Sequence, residues 1–267
     1  MPDIQYFLDL FDNYCDGFLK NCNSEYIAEN IKLKINHSKN VFFHCREIAI
    51  SEELDDNKRF IAEFCGLFHD IGRFEQFTIY NTFKDDDSVY HGKLGVEVLE
   101  KEKFLDTISS EIREIITTSV FNHGLIKIPE GIIGDKLYFS KLVRDADKAD
   151  IFRIVALYYH SNGPRNIALE YGLADIPEIS DDVYNQFCNF QMISKEILKT
   201  LNDFKTMQIA WIFDINFKYT FRYIDENKYL EAVVSSITDE SKKKEMIRII
   251  EAVINLKRLN SIMVDLS

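Results

Sequence analysis

Apolar residues recur at three- and four-residue steps through most of this chain, which predicts amphipathic helices. The spacing predicts one helix over residues 3–21 and a second that begins at a cap on Asn23 or Ser24 and continues to Ile48. Further helical patterns cover about 91–99, 108–122, 136–159, 181–201, 202–224, 226–236 and 239–262. A short strand fits only between 170 and 180. We therefore expect an all-α fold.

The segment from Phe60 to Phe68 differs from the other helices because it is apolar on nearly every face, which predicts a buried helix. It ends in His69 and Asp70, and Gly72 then suits a left-handed C-terminal cap. A carboxylate at the end of a core helix is costly unless it is paired or binds a metal. Residues 74–90 show little periodicity and predict an ordered loop, with 85–87 as a solvated acidic segment.

Composition and charge narrow the possible functions. The 4 Pro and 10 Gly among 267 residues are few, which favours long helices over a turn-rich β fold. The net charge of -12 disfavours binding to long nucleic acids. Five scattered cysteines indicate reduced thiols. With no signal-peptide pattern and no apolar run near the roughly 20 residues of a membrane span, we expect a cytoplasmic protein, with a homodimer left open.

The six histidines contain the strongest sign of chemistry. His69, His91 and His123 stand at predicted helix ends or loop junctions, where side chains can converge. His37 lies on the apolar face of the second helix, and Asp147 lies on the apolar face of the long helix that follows. Imidazoles and carboxylates together suit Mn²⁺, Fe²⁺, Co²⁺, Ni²⁺ or Zn²⁺, and the absence of cysteine ligands argues against a closed structural zinc site.

The ordered set His37…His69-Asp70…His91…His123…Asp147 resembles the HD superfamily of metal-dependent phosphohydrolases, in the variant with two additional histidines before the last aspartate. The resemblance covers about residues 25–160. The matching segments are His37-Ser38-Lys39-Asn40-Val41, His69-Asp70-Ile71-Gly72-Arg73-Phe74, His91-Gly92, Asn122-His123 and Arg144-Asp145-Ala146-Asp147-Lys148.

The resemblance implies a compact helical HD core over 25–160. Beyond it, the helical spacing alone predicts a helical extension over 165–267, which we expect to pack on the core in a single unit. The resemblance also implies two divalent cations bridged by Asp70. The first would be held by His37, His69, Asp70 and Asp147, and the second by His91 and His123. Asp145 is a rival for the last ligand. We prefer Asp147 because an Ala-Asp pair followed by a basic residue matches the usual ending of the family motif.

The implied activity is hydrolysis of a phosphate ester or anhydride in a small molecule, with a nucleotide as the first choice, by metal-activated water. Asp70 would take part in catalysis. Arg73 and Lys148, next to predicted ligands, are candidates for neutralising phosphate oxygens, with solvated surface charge as the alternative. Two other functions stay open. One is a di-iron oxygenase of the HD type, and the other is a non-catalytic, metal-stabilised interaction protein.

Overall fold

The computed structural model describes residues 3–22, 24–161 and 170–265, with side chains as far as Arg258. It confirms the all-α fold, since an isolated bridge between Ala174 and Thr200 is the only β pairing within these ranges. Ser24 holds the cap position of the second helix, and Asn23 lies outside the described residues. None of the described helices is long and apolar enough to cross a membrane.

Twelve α-helices are found in the described part of the chain. They are α1 (Ile4–Lys20), α2 (Glu25–Ser51), α3 (Asp56–Phe68), α4 (Gly72–Tyr80), α5 (His91–Lys101), α6 (Ser110–Asn122), α7 (Gly134–His160), α8 (Asp181–Cys188), α9 (Leu201–Ala210), α10 (Lys218–Glu226), α11 (Tyr229–Ser235) and α12 (Glu240–Asp265). The chain divides into two compact units, Met1–Asp150 and Ile151–Ser267, so the boundary falls within α7. The single unit and the packing of 165–267 on the HD core stay predictions.

The N-terminal unit is built around α3, which is buried from Phe60 to Phe68 as predicted. Aromatic rings of α1 pack on it, with ring centroids 4.9 Å apart for Phe7 and Phe64. On another side α2 approaches so closely that a Cβ at Gly66 would lie 2.6 Å from Cys45 Sγ. This approach holds α2 against the C-terminal end of α3.

Residues 74–90 are not all loop, contrary to our expectation, because α4 continues to Tyr80. Its buried face includes Arg73 and Gln76 among apolar neighbours, and these polar residues hide the helical periodicity. Gly72 is not a left-handed cap either, since it is the first residue of α4. A Cβ there would lie 2.6 Å from both Gly95 N and His91 O, so this glycine permits close contact with α5.

The C-terminal unit has its own apolar core, which includes Val183, Ile209 and Val233. The pattern at 181–224 is broken more often than predicted. Helix α8 stops at Cys188, and α9 is buried along its whole length, polar residues included. The Asp203 carboxylate accepts hydrogen bonds from three backbone amides and one hydroxyl, at 2.6–3.1 Å. Internal partners of this kind make a buried polar helix stable.

Replacing Gly72 by alanine should reduce the free energy of unfolding by about 1–3 kcal/mol, because the new methyl group overlaps the α5 backbone. The matched control is Gly17→Ala in α1, where a Cβ meets no atom within 4 Å. That change should raise the free energy of unfolding by about 0.5–1 kcal/mol, since alanine favours a helix interior. Urea unfolding followed by circular dichroism measures both. Equal stability of Gly72→Ala and wild type would contradict the close contact.

Candidate metal centre

The six predicted ligands lie on five different elements of the N-terminal unit. His37 lies on α2 and Asp147 on α7, while His91 is the first residue of α5. His69 and His123 occupy the positions directly after α3 and α6. The four imidazoles and Asp70 are 0–5% exposed. Residues far apart in sequence therefore meet at the end of the buried helix α3.

Asp70 is at the middle of this cluster, and each of its oxygen atoms faces a different pair of histidines. Oδ2 lies 3.7 Å from His37 Nε2 and 3.6 Å from His69 Nε2. Oδ1 lies 3.7 Å from His91 Nε2 and 3.4 Å from His123 Nε2. The carboxylate thus has the arrangement of a bridging ligand between two cation positions.

Within each pair, the two Nε2 atoms point at each other. They are 3.2 Å apart in His37 and His69, and 2.9 Å apart in His91 and His123. Two imidazole nitrogens bound at about 2.1 Å to one cation, at right angles, lie about 3.0 Å apart. Both separations fit that geometry. With Asp70 they form two buried groups able to hold a metal ion, His37–His69–Asp70 and Asp70–His91–His123.

The contacts of Nδ1, the second nitrogen of each ring, show whether Nε2 is free to bind a metal ion. Nδ1 of His69 lies 2.8 Å from Gly66 O, and Nδ1 of His123 lies 2.7 Å from Val120 O. A carbonyl oxygen only accepts, so in both residues Nδ1 carries the hydrogen. In the neutral form of either ring, Nε2 therefore presents its lone pair to the centre.

The other two histidines have carboxylate partners instead. His37 Nδ1 lies 2.7 Å from Asp150 Oδ2. His91 Nδ1 lies 2.7 Å from Asp85 Oδ2 and 2.9 Å from Asp85 Oδ1. Metal-binding histidines usually donate their second ring N–H to such oxygens, which fixes the ring and makes the ligating nitrogen more basic. All four imidazoles thus have the environment of metal ligands.

The last motif contributes Asp147 to the cluster. Its Oδ1 atom lies 3.0 Å from His37 Nε2 and 3.7 Å from His69 Nε2. Asp145 is buried two residues earlier on the same helix, where side chains at i and i+2 do not share a face. Asp147 is therefore the aspartate of the motif that extends into the first half of the centre. Its side chain is 18% exposed, so the centre is accessible to solvent on this side.

The pKa values of the imidazoles respond differently to their buried surroundings. It lowers the pKa of His69 to about 4 and that of His91 to about 3, so both rings are neutral at pH 7. Burial also lowers the pKa of His37, but hydrogen bonds with Asp147 and Asp150 outweigh it and raise that pKa to about 9. A positive charge, from a proton or a cation, is thus stabilised beside His37 Nε2.

The two carboxylates of the first half stay ionised. Burial alone would raise the pKa of Asp70, but the Lys34 ammonium and the Arg73 guanidinium hold it well below the usual range. Burial would likewise raise the pKa of Asp147, and its hydrogen bond with His37 keeps it below the usual range. Ionised carboxylates and imidazole lone pairs together form a donor set that fits divalent transition metals.

Three contributors were missed in the sequence. Lys34 Nζ lies 2.7 Å from Asp70 Oδ2, one helical turn before His37. Asp150 follows Asp147 by one turn on α7, and this i, i+3 spacing was the available signal. Asp85 was wrongly assigned to a solvated acidic segment, since its carboxylate binds His91, whereas residues 86 and 87 are exposed as predicted.

The basic residues next to the predicted ligands are buried, so they are not the solvated surface charges of the alternative interpretation. Arg73 is 6% exposed, with Nη1 donating to Phe83 O at 2.6 Å and to Asp85 Oδ1 at 3.0 Å. Lys148 is also 6% exposed. Arg144, which was not singled out, donates from Nη1 to His123 O at 3.1 Å and so supports the end of α6.

Comparison with known proteins agrees with this geometry. The HD domain family matches residues 35–180, which is more than half of the chain and includes all six predicted ligands. No curated protein and no solved structure gives a significant match. The family match and the buried histidine–aspartate cluster lead to the same conclusion. This chain belongs to the HD domain family of metal-dependent phosphohydrolases.

Proposed function

We propose that this protein hydrolyses a phosphate ester or anhydride in a small molecule, with a nucleotide as the first candidate, using two divalent cations. The position of Asp70 carries the proposal, because its two oxygens face two separate pairs of imidazole nitrogens. Pairs of cations about 3.5–4 Å apart are typical of enzymes that cleave phosphate bonds. Mn, Fe, Co, Ni or Zn would suit the nitrogen and oxygen ligands.

His37, His69 and Asp147 would hold the first cation and His91 and His123 the second, with Asp70 shared. Such a pair supplies Lewis acidity, which acidifies water and neutralises charge on a phosphoryl group. The protein's own contribution is to fix these donors and keep the carboxylates ionised. Asp147, as the ligand exposed to solvent, would orient the incoming water by accepting its hydrogen bond.

Lys34 is the cation of the chain best placed to meet a phosphate. Its Nζ lies 2.7 Å from Asp70 Oδ2, and its side chain is 16% exposed, so part of it reaches solvent. A small anionic substrate would meet this local positive charge despite the net charge of -12. A long nucleic acid would need a wider basic surface. The charge pattern therefore supports a small substrate.

Arg73 and Lys148 stay proposed contributors. The contacts of Arg73 support an indirect role, since its guanidinium lies between Asp70 Oδ1, at 3.5 Å from Nε, and Asp85 Oδ1, at 3.0 Å from Nη1. All five cysteines are free, which supports the proposed cytoplasmic location. A homodimer remains a proposal without a specific contact behind it.

Wild-type protein should bind about two Mn²⁺ or Co²⁺ ions per chain and release phosphate or a phosphomonoester from a nucleotide panel. Asp70→Ala should lose both ions and reduce kcat by roughly 10³-fold or more, since several kcal/mol of transition-state stabilisation depend on the cations. His123→Ala should retain one ion. Metal analysis of protein prepared without oxygen and a phosphate-release assay give the two readouts.

The control for this series is His160→Ala, which removes a histidine whose Nε2 contacts Ser235 in the C-terminal unit. It should retain both ions and full activity. Iron binding with oxygen consumption and no phosphate release would replace the hydrolase by the oxygenase. Full metal content with neither activity would favour the interaction protein.

Lys34→Met should lower kcat/KM for an anionic phosphorylated substrate by about 10–100-fold, the effect of losing one charge-assisted hydrogen bond. Lys34→Arg should recover part of that loss because it restores the charge. The matched control is Lys39→Met on the same helix, where the ammonium pairs with Asp12 at the surface. An unchanged kcat/KM in Lys34→Met would remove this lysine from the substrate site.

A further inference from the structure

Asp85 contacts His91 on the side of the ring that faces away from the second cation position. Both of its carboxylate oxygens face His91 Nδ1, at 2.7 and 2.9 Å, and Oδ1 also lies 3.3 Å from the His91 backbone amide. The contact therefore fixes the His91 ring and the first residue of α5 together. His91 Nε2, on the opposite side of the ring, is directed at His123 and Asp70.

Asp85 is itself held in place by α4. Arg73 Nη1 and Gln76 Nε2 donate to its Oδ1 atom at 3.0 and 2.9 Å. Gln76 Nε2 also lies 2.9 Å from both Ser88 Oγ and Val89 O, so its two hydrogens are shared among three acceptors. The segment 82–90 thus has fixed contacts with the buried face of α4, and a carboxylate held this way can orient the ring it binds.

Each half of the centre has one histidine that is oriented by a carboxylate, and the two carboxylates lie on different elements. In the first half a carboxylate, Asp150, binds His37, and in the second half Asp85 binds His91. Asp150 belongs to α7 and is fully buried, whereas the Asp85 side chain is 21% exposed and belongs to the connection between α4 and α5. The two orienting carboxylates are therefore on separate elements and can be changed independently.

We propose that Asp85 is a positioning residue that sets the affinity of the second cation position through His91, without affecting the first. The proposal rests on the dinuclear centre of the proposed function. A carboxylate partner fixes the imidazole and raises its basicity, and loss of such a partner costs about 10–100-fold in metal affinity. The connection 82–90 would then decide whether the chain carries one cation or two at a limiting metal supply.

The test is a Mn²⁺ titration of the full chain by calorimetry, with electron paramagnetic resonance to separate coupled ion pairs from single ions. Asp85→Asn keeps the shape but removes the charge, and Asp85→Ala removes the acceptor. Both should weaken one of two binding events by about 10–100-fold and leave the other unchanged, with a single-ion spectrum at one equivalent of Mn²⁺. The unchanged event also reports that the variant is folded.

Two aspartate-to-asparagine variants serve as controls. Asp87→Asn changes an aspartate of the same segment whose side chain is 62% exposed, and it should match wild type. Asp150→Asn should weaken the other binding event instead. Equal weakening of both events in the Asp85 variants, wild-type affinities in them, or a single binding event in wild type would each overturn the proposal.

Metal affinity and phosphate release are measured separately, so the two proposals fail in different ways. A wild-type chain that binds two cations and hydrolyses no ester would overturn the proposed function and leave the role of Asp85 standing. Hydrolysis by a chain whose two affinities do not respond selectively to Asp85 would do the reverse.

Discussion

The burial of the Asp70 carboxylate is the constraint on which the rest of the metal centre depends. Moving an ion out of water costs several kcal/mol unless opposite charge and hydrogen bonds compensate. Here the compensation comes from Lys34 on one oxygen, Arg73 near the other, and the imidazoles on both sides. Helices from distant parts of the sequence must therefore meet at this carboxylate.

Two of the imidazoles are positioned by the ends of helices, through contacts within a few residues of the chain. His69 and His123 each follow the last residue of a helix and donate Nδ1–H to the carbonyl three residues earlier. Both histidines lie 32 residues after the partner they face, His37 and His91 respectively. The two halves of the centre thus use the same local device twice, around one shared carboxylate.

Much of this centre could be predicted because its residues occur in a fixed order on helices with clear periodicity. That order predicted which residues meet, whereas the ring nitrogen that each histidine presents became clear only in the structure. The role of Asp85 could not be predicted, because an acidic run in a connection has the same composition whether it is solvated or bound to His91. Helix α4 was hidden for a related reason, since buried Arg73 and Gln76 interrupt the apolar pattern that marks a helix face. A helix face that contains buried polar residues with internal partners is therefore hard to recognise from apolar spacing alone.

The carbonyl partners of His69 and His123 have a consequence for how this protein tolerates sequence change. Asp85 and Asp150 can each be lost by a single substitution, but no side-chain replacement at Val120 removes its carbonyl oxygen. Two of the four imidazoles are therefore oriented by main-chain oxygen atoms, which a point mutation does not remove. A saturation scan of the chain would record the two carboxylates and miss the two carbonyls, although all four hold an equivalent ring.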